Sequence, residues 1–188
     1  VLSASTRKSR LIINFVAFQT GWFAAVLGGA HDRALLGSGI AALVMLLHLG
    51  MSHRPGREAQ LLLVVMLLGF LWDSMLMNLG VIRYPYGQVL PQLAPIWIVA
   101  LWGLFATTLN VSLAFLKQRY WLAALFGLIG APLSFLAGAR LQALQFPEPM
   151  RALVVLALGW GALMIIMMWL AQRFDGVTVV ALPSPRVE

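Results

Sequence analysis

QLLLVVMLLGFLWDSMLMNLGVI, residues 60–82, is the stretch that decides the fold. Its roughly 23 residues carry one charge, Asp73, with only Trp72, Ser74 and Asn78 polar nearby. A helix of that length rises about 34 Å, enough to cross a hydrocarbon core of about 30 Å. A carboxyl near a bilayer centre costs at least ~2.5 kcal/mol to insert, so one that persists marks a candidate functional site.

Five further segments of similar character flank it. They are Leu11–Ala30 and Ala34–Met51 before it, and Leu93–Leu116, Trp121–Leu144 and Met150–Gln172 after it. Polar or helix-breaking turns separate them: His31-Asp32-Arg33, His53-Arg54-Pro55-Gly56-Arg57, Arg83-Tyr84-Pro85-Tyr86-Gly87, Lys117-Gln118-Arg119 and Phe146-Pro147-Glu148-Pro149. The expected fold is all-α: a polytopic integral membrane protein with six transmembrane helices in one bundle. Residues 1–172 form that single domain, with spans 11–30, 34–51, 60–82, 93–116, 121–144 and 150–172, and residues 173–188 form a loosely attached cytoplasmic tail. The run after Arg7, Lys8 and Arg10 is too long for the apolar core of a signal peptide and reads as the first span.

Composition agrees. The chain is 61% hydrophobic and 10% charged, against about 25% charged residues in soluble domains. It has no cysteine, which excludes Fe–S clusters, thiolate zinc sites, disulfides and thiol nucleophiles. A net charge of +7 suggests nucleic acid in a soluble protein; here the cations lie in loops and set membrane orientation, and no nucleic-acid partner is expected. With the N-terminus inside, Arg7, Lys8, Arg10, Arg54, Arg57, Lys117, Arg119, Arg173 and Arg186 are cytoplasmic, and Arg33, Arg83 and Arg151 lie outside. Both termini are therefore expected in the cytoplasm.

Small and polar residues align on one face of most spans: Asn14, Gly21, Ala25 and Gly28 in the first, Gly69, Asp73 and Gly80 in the third, Gly103, Thr107 and Asn110 in the fourth, Gly127, Ala131, Ser134 and Gly138 in the fifth. Such stripes let helices approach closely; the sharper reading is an internal cavity holding Asp73, Asn110 and Thr107. At 1.5 Å per residue, Asp73 and Thr107 each lie about 3 Å from their helix midpoints. A hydrogen-bonded Asp73–Asn110–Thr107 group is compatible with those depths if the helices are neighbours, with Asn14 or Gln19 as further members. Asp73 is the one candidate catalytic group, as a general acid or a proton-coupling site. Asn14, Gln19, Asp73, Thr107, Thr108, Asn110, Ser134 and Arg140 are the candidate ligand-binding residues. Arg140 either snorkels to the outer headgroups or pairs with Asp73. Pro132 frees the carbonyl of Leu128 and is expected to kink the fifth helix; Gly127, Gly130 and Ala131 beside it would admit a ligand. Met164, Met167 and Met168 read as lipid-facing or as packing filler.

No Walker loop, Gly-x-Ser-x-Gly elbow or Asp-rich Mg²⁺-diphosphate pair occurs. His48 and His53 are not spaced as a haem or metal pair. No metal, haem or Fe–S cofactor is expected.

Several stretches together resemble a known family: Asn14-Phe15, Phe18-Gln19 and Gly21-Trp22-Phe23; Asp73, Gly80 and the Tyr84–Gly87 turn; Ala94-Pro95-Ile96-Trp97, Leu101-Trp102 and Thr107-Thr108-Leu109-Asn110; and Gly130, Pro132-Leu133-Ser134 and Ala137-Gly138. The resemblance is to a bacterial inner-membrane family catalogued as a domain of unknown function (type 2878), and it covers about Asn14 to Gln172. Its genes often lie near cyclopropane-fatty-acid-synthase-like and flavin amine-oxidase-like genes, which implies a role in membrane-lipid modification or in oxidative or light stress. A weaker similarity is to membrane carotenoid cyclases and hydratases, through Asp73, Gly80, Tyr84 and Pro95 in that order. The cyclases carry paired glutamates after that Pro, where this chain has Ile96-Trp97.

Three readings follow. The first is a protein that handles or helps to modify a membrane lipid or isoprenoid. The second is a non-catalytic subunit that packs against other subunits of a membrane complex. The third is a small transporter using Asp73 as a proton or cation site. The resemblance favours the first.

Overall fold

The computed structural model describes residues 4–178. Six α-helices account for most of them: α1 (Ala4–Ala30), α2 (Ala34–Gly50), α3 (Pro55–Asn78), α4 (Ile96–Leu109), α5 (Tyr120–Arg140) and α6 (Pro149–Arg173), with a 3-10 turn at Ala114–Leu116. Among the described residues the only β pairing is an isolated bridge between Arg83 and Gln145. α1, α3, α5 and α6 are long and apolar enough to cross a membrane; α2 and α4 are shorter apolar helices of 17 and 14 residues. Large apolar side chains such as Ile12, Leu46, Leu67, Leu133 and Leu158 are exposed along these helices, a surface suited to lipid rather than water.

The six segments read from sequence therefore correspond to six helices, with different ends. α1 begins seven residues before Leu11, at Ala4, and α3 begins at Pro55 rather than Gln60. Proline suits the first turn of a helix, where its missing N–H leaves no bond unmade. The fourth segment departs most. Expected over 93–116, its helix covers only 96–109, about 21 Å of rise. Pro95 stands at its start. At its end the Thr107 and Thr108 hydroxyls donate to the carbonyls of Leu104 and Phe105, the local competition with the helix ladder that Ser and Thr provide. The chain then turns through Asn110 into the 3-10 segment.

Connections are tight. α1, α3 and α5 each end in a residue with positive φ, at Asp32, Gly80 and Gln142. The next N–H in each case reaches back to the last turn (Arg33 to Gly28, Val81 to Leu76, Ala143 to Gly138), the Schellman closure of a helix C-terminus. The helices alternate in direction, giving a terminal end, where the chain starts and α6 finishes, and a far end. The far end is covered by segment 79–95, pinned by Asn78 to the Gln92 carbonyl, by the Ala94 N–H to Ser74, and by reciprocal backbone bonds between Arg83 and Gln145.

α1 packs along α2 and α4, α3 along α4, and α5 along α6. At the α1–α2 contact a Cβ on Gly37 would overlap the Ala24 carbonyl, so these backbones touch as small-residue stripes allow. Met164, Met167 and Met168 are fully buried, which makes them filler rather than lipid-facing. The α5–α6 hairpin meets the rest mainly through α6, and a crevice opens between α1, α4 and α5.

The first part of the tail is docked. Arg54 N–H donates to the Gly176 carbonyl at 2.9 Å, Gly176 N–H donates to Glu58 at 2.8 Å, and Lys117 pairs with Asp175 at 2.7 Å. The rest of the expected tail, including Arg186, lies outside the described residues.

Candidate functional site

The crevice encloses about 570 Å³, within the usual size for a ligand pocket. α1 contributes Phe15, Phe18 and Trp22, α4 contributes Trp97 and Trp102, and α6 contributes Trp160. Gly127, Gly130 and Ala131 of α5 line the opposite wall, where the sequence places small residues beside Pro132. Phe15, Phe23, Phe126 and Leu133 line it yet are exposed, so it opens sideways between α1 and α5.

Trp102 organises the wall. Its ring stacks on Trp160 with centroids 4.5 Å apart and planes 22° inclined, and Phe105 and Phe135 meet Trp160 edge-on. The ring lies on Gly69, where any Cβ would overlap it. The indole N–H of Trp102 donates to Oδ2 of Asp73 at 2.7 Å, and the Tyr84 hydroxyl donates to Oδ1 at 2.6 Å. Tyr84 in turn meets Trp97 edge-on at 5.5 Å. Asp73 is thus completely buried, with a donor on each oxygen, as a buried polar group requires. It does not line the crevice; it holds two aromatic side chains, one of which does and one of which packs on another that does.

The expected Asp73–Asn110–Thr107 group does not form. α3 and α4 run antiparallel, so Trp102 rather than Asn110 lies level with Asp73. Asn110, eight residues beyond Trp102, is about 12 Å further along the axis. Its amide donates to Oε1 of Glu58 at 2.7 Å. Thr107 is buried with its hydroxyl on the Leu104 carbonyl, and its own carbonyl accepts from Asn14 at 3.0 Å. Asn14 also accepts from the Ser112 hydroxyl. Arg140 is exposed at the end of α5, away from an Asp73 whose partners are Tyr84 and Trp102. Of the candidate binding residues, Gln19, Thr108 and Ser134 line the crevice; Asn14, Asp73, Thr107, Asn110 and Arg140 stand behind or outside it.

Glu58, which falls between the charged turn at residues 53–57 and the expected third span and is not singled out by the sequence, is fully buried at the terminal end. Its Oε2 lies 2.8 Å from Nε2 of His48, and its Oε1 accepts from Asn110 and from Gly176 N–H. No sequence signal distinguishes it from an ordinary acid in a first helical turn, where the helix dipole favours a carboxylate. Tyr84 stands out from sequence only as part of a turn and of the family resemblance, Trp102 only within that resemblance, and Trp160 not at all.

At the terminal end outside the spans, burial pushes the Asp175 carboxyl up, but hydrogen bonds from Lys117 and Thr178 and the Lys117 charge outweigh it. The group lies below its ordinary range.

Comparison with curated proteins and with solved structures finds no match. A family model described as a protein of unknown function matches residues 11–166, which span α1 through most of α6 and the whole crevice. The chain belongs to that family, DUF2878.

Proposed function

We propose that this is a six-span protein of the bacterial inner membrane that binds the apolar chain of a lipid or isoprenoid in the crevice between α1, α4 and α5. One observation carries the reading: a cavity of about 570 Å³, walled by aromatic rings, with lipid-facing side chains at its lateral mouth. A chain could enter such a mouth from the bilayer without crossing water, so little of its apolar surface would be exposed on the way. The short α4 fits a membrane crossing completed by segments 79–95 and 110–119 at its two ends. Arg54, Arg57, Lys117, Arg119 and Arg173 all lie at the terminal end, which supports a cytoplasmic placement of that end.

Asp73 acts here as a positioning residue: it fixes the Trp102 ring that forms one wall of the crevice. The test is extraction of the protein, purified gently from its own membranes, followed by native mass spectrometry. A bound apolar molecule, lost when Gly130→Leu fills the crevice, is the expected result. Preparations free of any such molecule, in parent and variant alike, would overturn the reading.

A further inference from the structure

The polar lining of the crevice narrows the ligand further, given that the crevice takes an apolar chain at all. None of the lining side chains is charged. The uncharged polar ones are few and unevenly placed. Gln19 of α1, Thr108 at the end of α4 and Ser112 just beyond it lie toward the terminal end, whereas the fourth, Ser134 of α5, lies further toward the far end and is exposed at the lateral mouth. Contact of Phe18 with Phe105 and of Asn14 with Thr107 and Ser112 sets α1 and α4 in that register. Trp160, packed on Phe105, is about one turn further along. Val26, Trp97 and Leu144, toward the far end, are apolar or aromatic. The lining of α1 runs from Phe15 to Val26, about 16 Å of rise, so the space is elongated, with its inward-facing polar groups toward one end and only the exposed Ser134 toward the other.

The hydrogen-bonding capacity of those groups is specific. Thr108 has already donated its hydroxyl proton to the Phe105 carbonyl at 2.6 Å, and Ser112 has donated its own to Asn14. Each retains lone pairs and so offers a ligand only an acceptor. Among the described residues the Gln19 amide has no partner, which leaves both its N–H₂ and its carbonyl. The Trp160 indole N–H is buried without an acceptor. A head group that both donates and accepts satisfies this set. A phosphate or carboxylate only accepts, would leave Thr108 and Ser112 without use, and would be buried with no cation beside it, which is costly.

We infer that the crevice takes an elongated molecule with a neutral hydroxyl head and an apolar tail, the hydroxyl seated among Gln19, Thr108 and Ser112 and the tail directed toward Trp97 and Leu144. The class is long-chain alcohols, isoprenoid or alkyl, rather than prenyl diphosphates or free fatty acids.

Three probes with the same C20 isoprenoid skeleton test it on the full chain in detergent: geranylgeraniol, geranylgeranyl diphosphate and the hydrocarbon phytane, with occupancy read by native mass spectrometry. The alcohol is expected to bind at least about tenfold more tightly than either of the others, the worth of one to two good hydrogen bonds. Gln19→Leu and the near-isosteric Thr108→Val should each weaken the alcohol several-fold and leave phytane unchanged. Equal binding of all three, or preference for the diphosphate, would overturn the hydroxyl assignment while the crevice reading stands. No binding of any probe, with no bound apolar molecule in the native preparation, would overturn both.

Discussion

Trp102 reaches from the middle of α4 to Oδ2 of Asp73 on α3 at 2.7 Å, and the same ring walls the crevice and stacks on Trp160. A carboxyl that the sequence marks as the chemical centre is thereby one layer behind the surface a ligand would touch. Its influence on that surface runs through the ring it holds.

Asp73→Ala leaves the Trp102 N–H and the Tyr84 O–H buried without acceptors. Each orphaned donor costs about 1–3 kcal/mol, so the variant should lose about 2–6 kcal/mol, the sum over the two. Asp73→Asn keeps one acceptor oxygen and should lose less. Thermal unfolding in detergent checks the order; an Ala variant as stable as the parent would show that these bonds contribute nothing net.

Gly69→Ala inserts a Cβ where the Trp102 ring lies. The ring must shift, so the N–H bond to Asp73 and the stack on Trp160 loosen together. The expected readout is a changed tryptophan emission spectrum with weaker probe binding. An unchanged spectrum would mean that α3 and α4 separate without disturbing the wall.

Gly130→Leu should empty the crevice without unfolding the protein. The nearest atoms to a Cβ there belong to the Phe126 ring at 3.9 Å, so the new side chain meets open space rather than backbone. Gly127→Leu is the contrast: its Cβ would strike the Trp160 carbonyl on α6 and should part the α5–α6 hairpin. Comparable losses of melting temperature in the two variants would contradict this placement of the crevice.

Glu58 ties four parts of the chain together through His48, Asn110 and Gly176. Glu58→Leu removes the acceptor of the Gly176 N–H, so hydrogen exchange at that amide should quicken by about tenfold or more, corresponding to roughly 1.4 kcal/mol of local opening. Gly176→Ala should act similarly, because its Cβ would overlap the Arg54 carbonyl. Slow exchange persisting in both variants would show that the segment is held by other contacts.

The Lys117–Asp175 pair gives the same segment a pH dependence. The folded carboxyl lies below its ordinary value, and the unfolded one titrates near about 3.9. The stabilisation is therefore fully present above about pH 4 and is lost as pH falls through the folded value. Protection factors at residues 174–178, exchange rates referred to the intrinsic rate at each pH, should fall on acidification from pH 5 to pH 3 in the parent. Lys117→Met should weaken that dependence; an identical pH profile in the variant would remove the pair as its source.

The apolar helices were legible because runs of about 20 residues between charged turns admit few other readings, although several of their ends lie a few residues from where the sequence placed them. The small residues Gly69 and Gly127 read as contact points and are contact points. Asp73 stood out because a lone carboxyl among apolar residues is conspicuous. Its partners did not. Depth along each helix put Asp73 and Thr107 within reach, but depth leaves open the rotation and the register of α3 against α4, and those selected Trp102. Tyr84 approaches from a turn whose path the sequence did not disclose.

By itself the sequence determined an all-helical chain, the number and rough bounds of its apolar segments, and the unusual character of Asp73, since each follows from local hydropathy and the cost of burying charge. Only the tertiary structure decided that α4 stops at Leu109, that Asp73 holds Trp102 and Tyr84, that Glu58 is buried on His48 and Asn110, and that α1 and α5 stand apart around a crevice. These depend on how helices distant in sequence rotate and slide against one another. Many side-chain contacts set that geometry jointly, and no single segment encodes it.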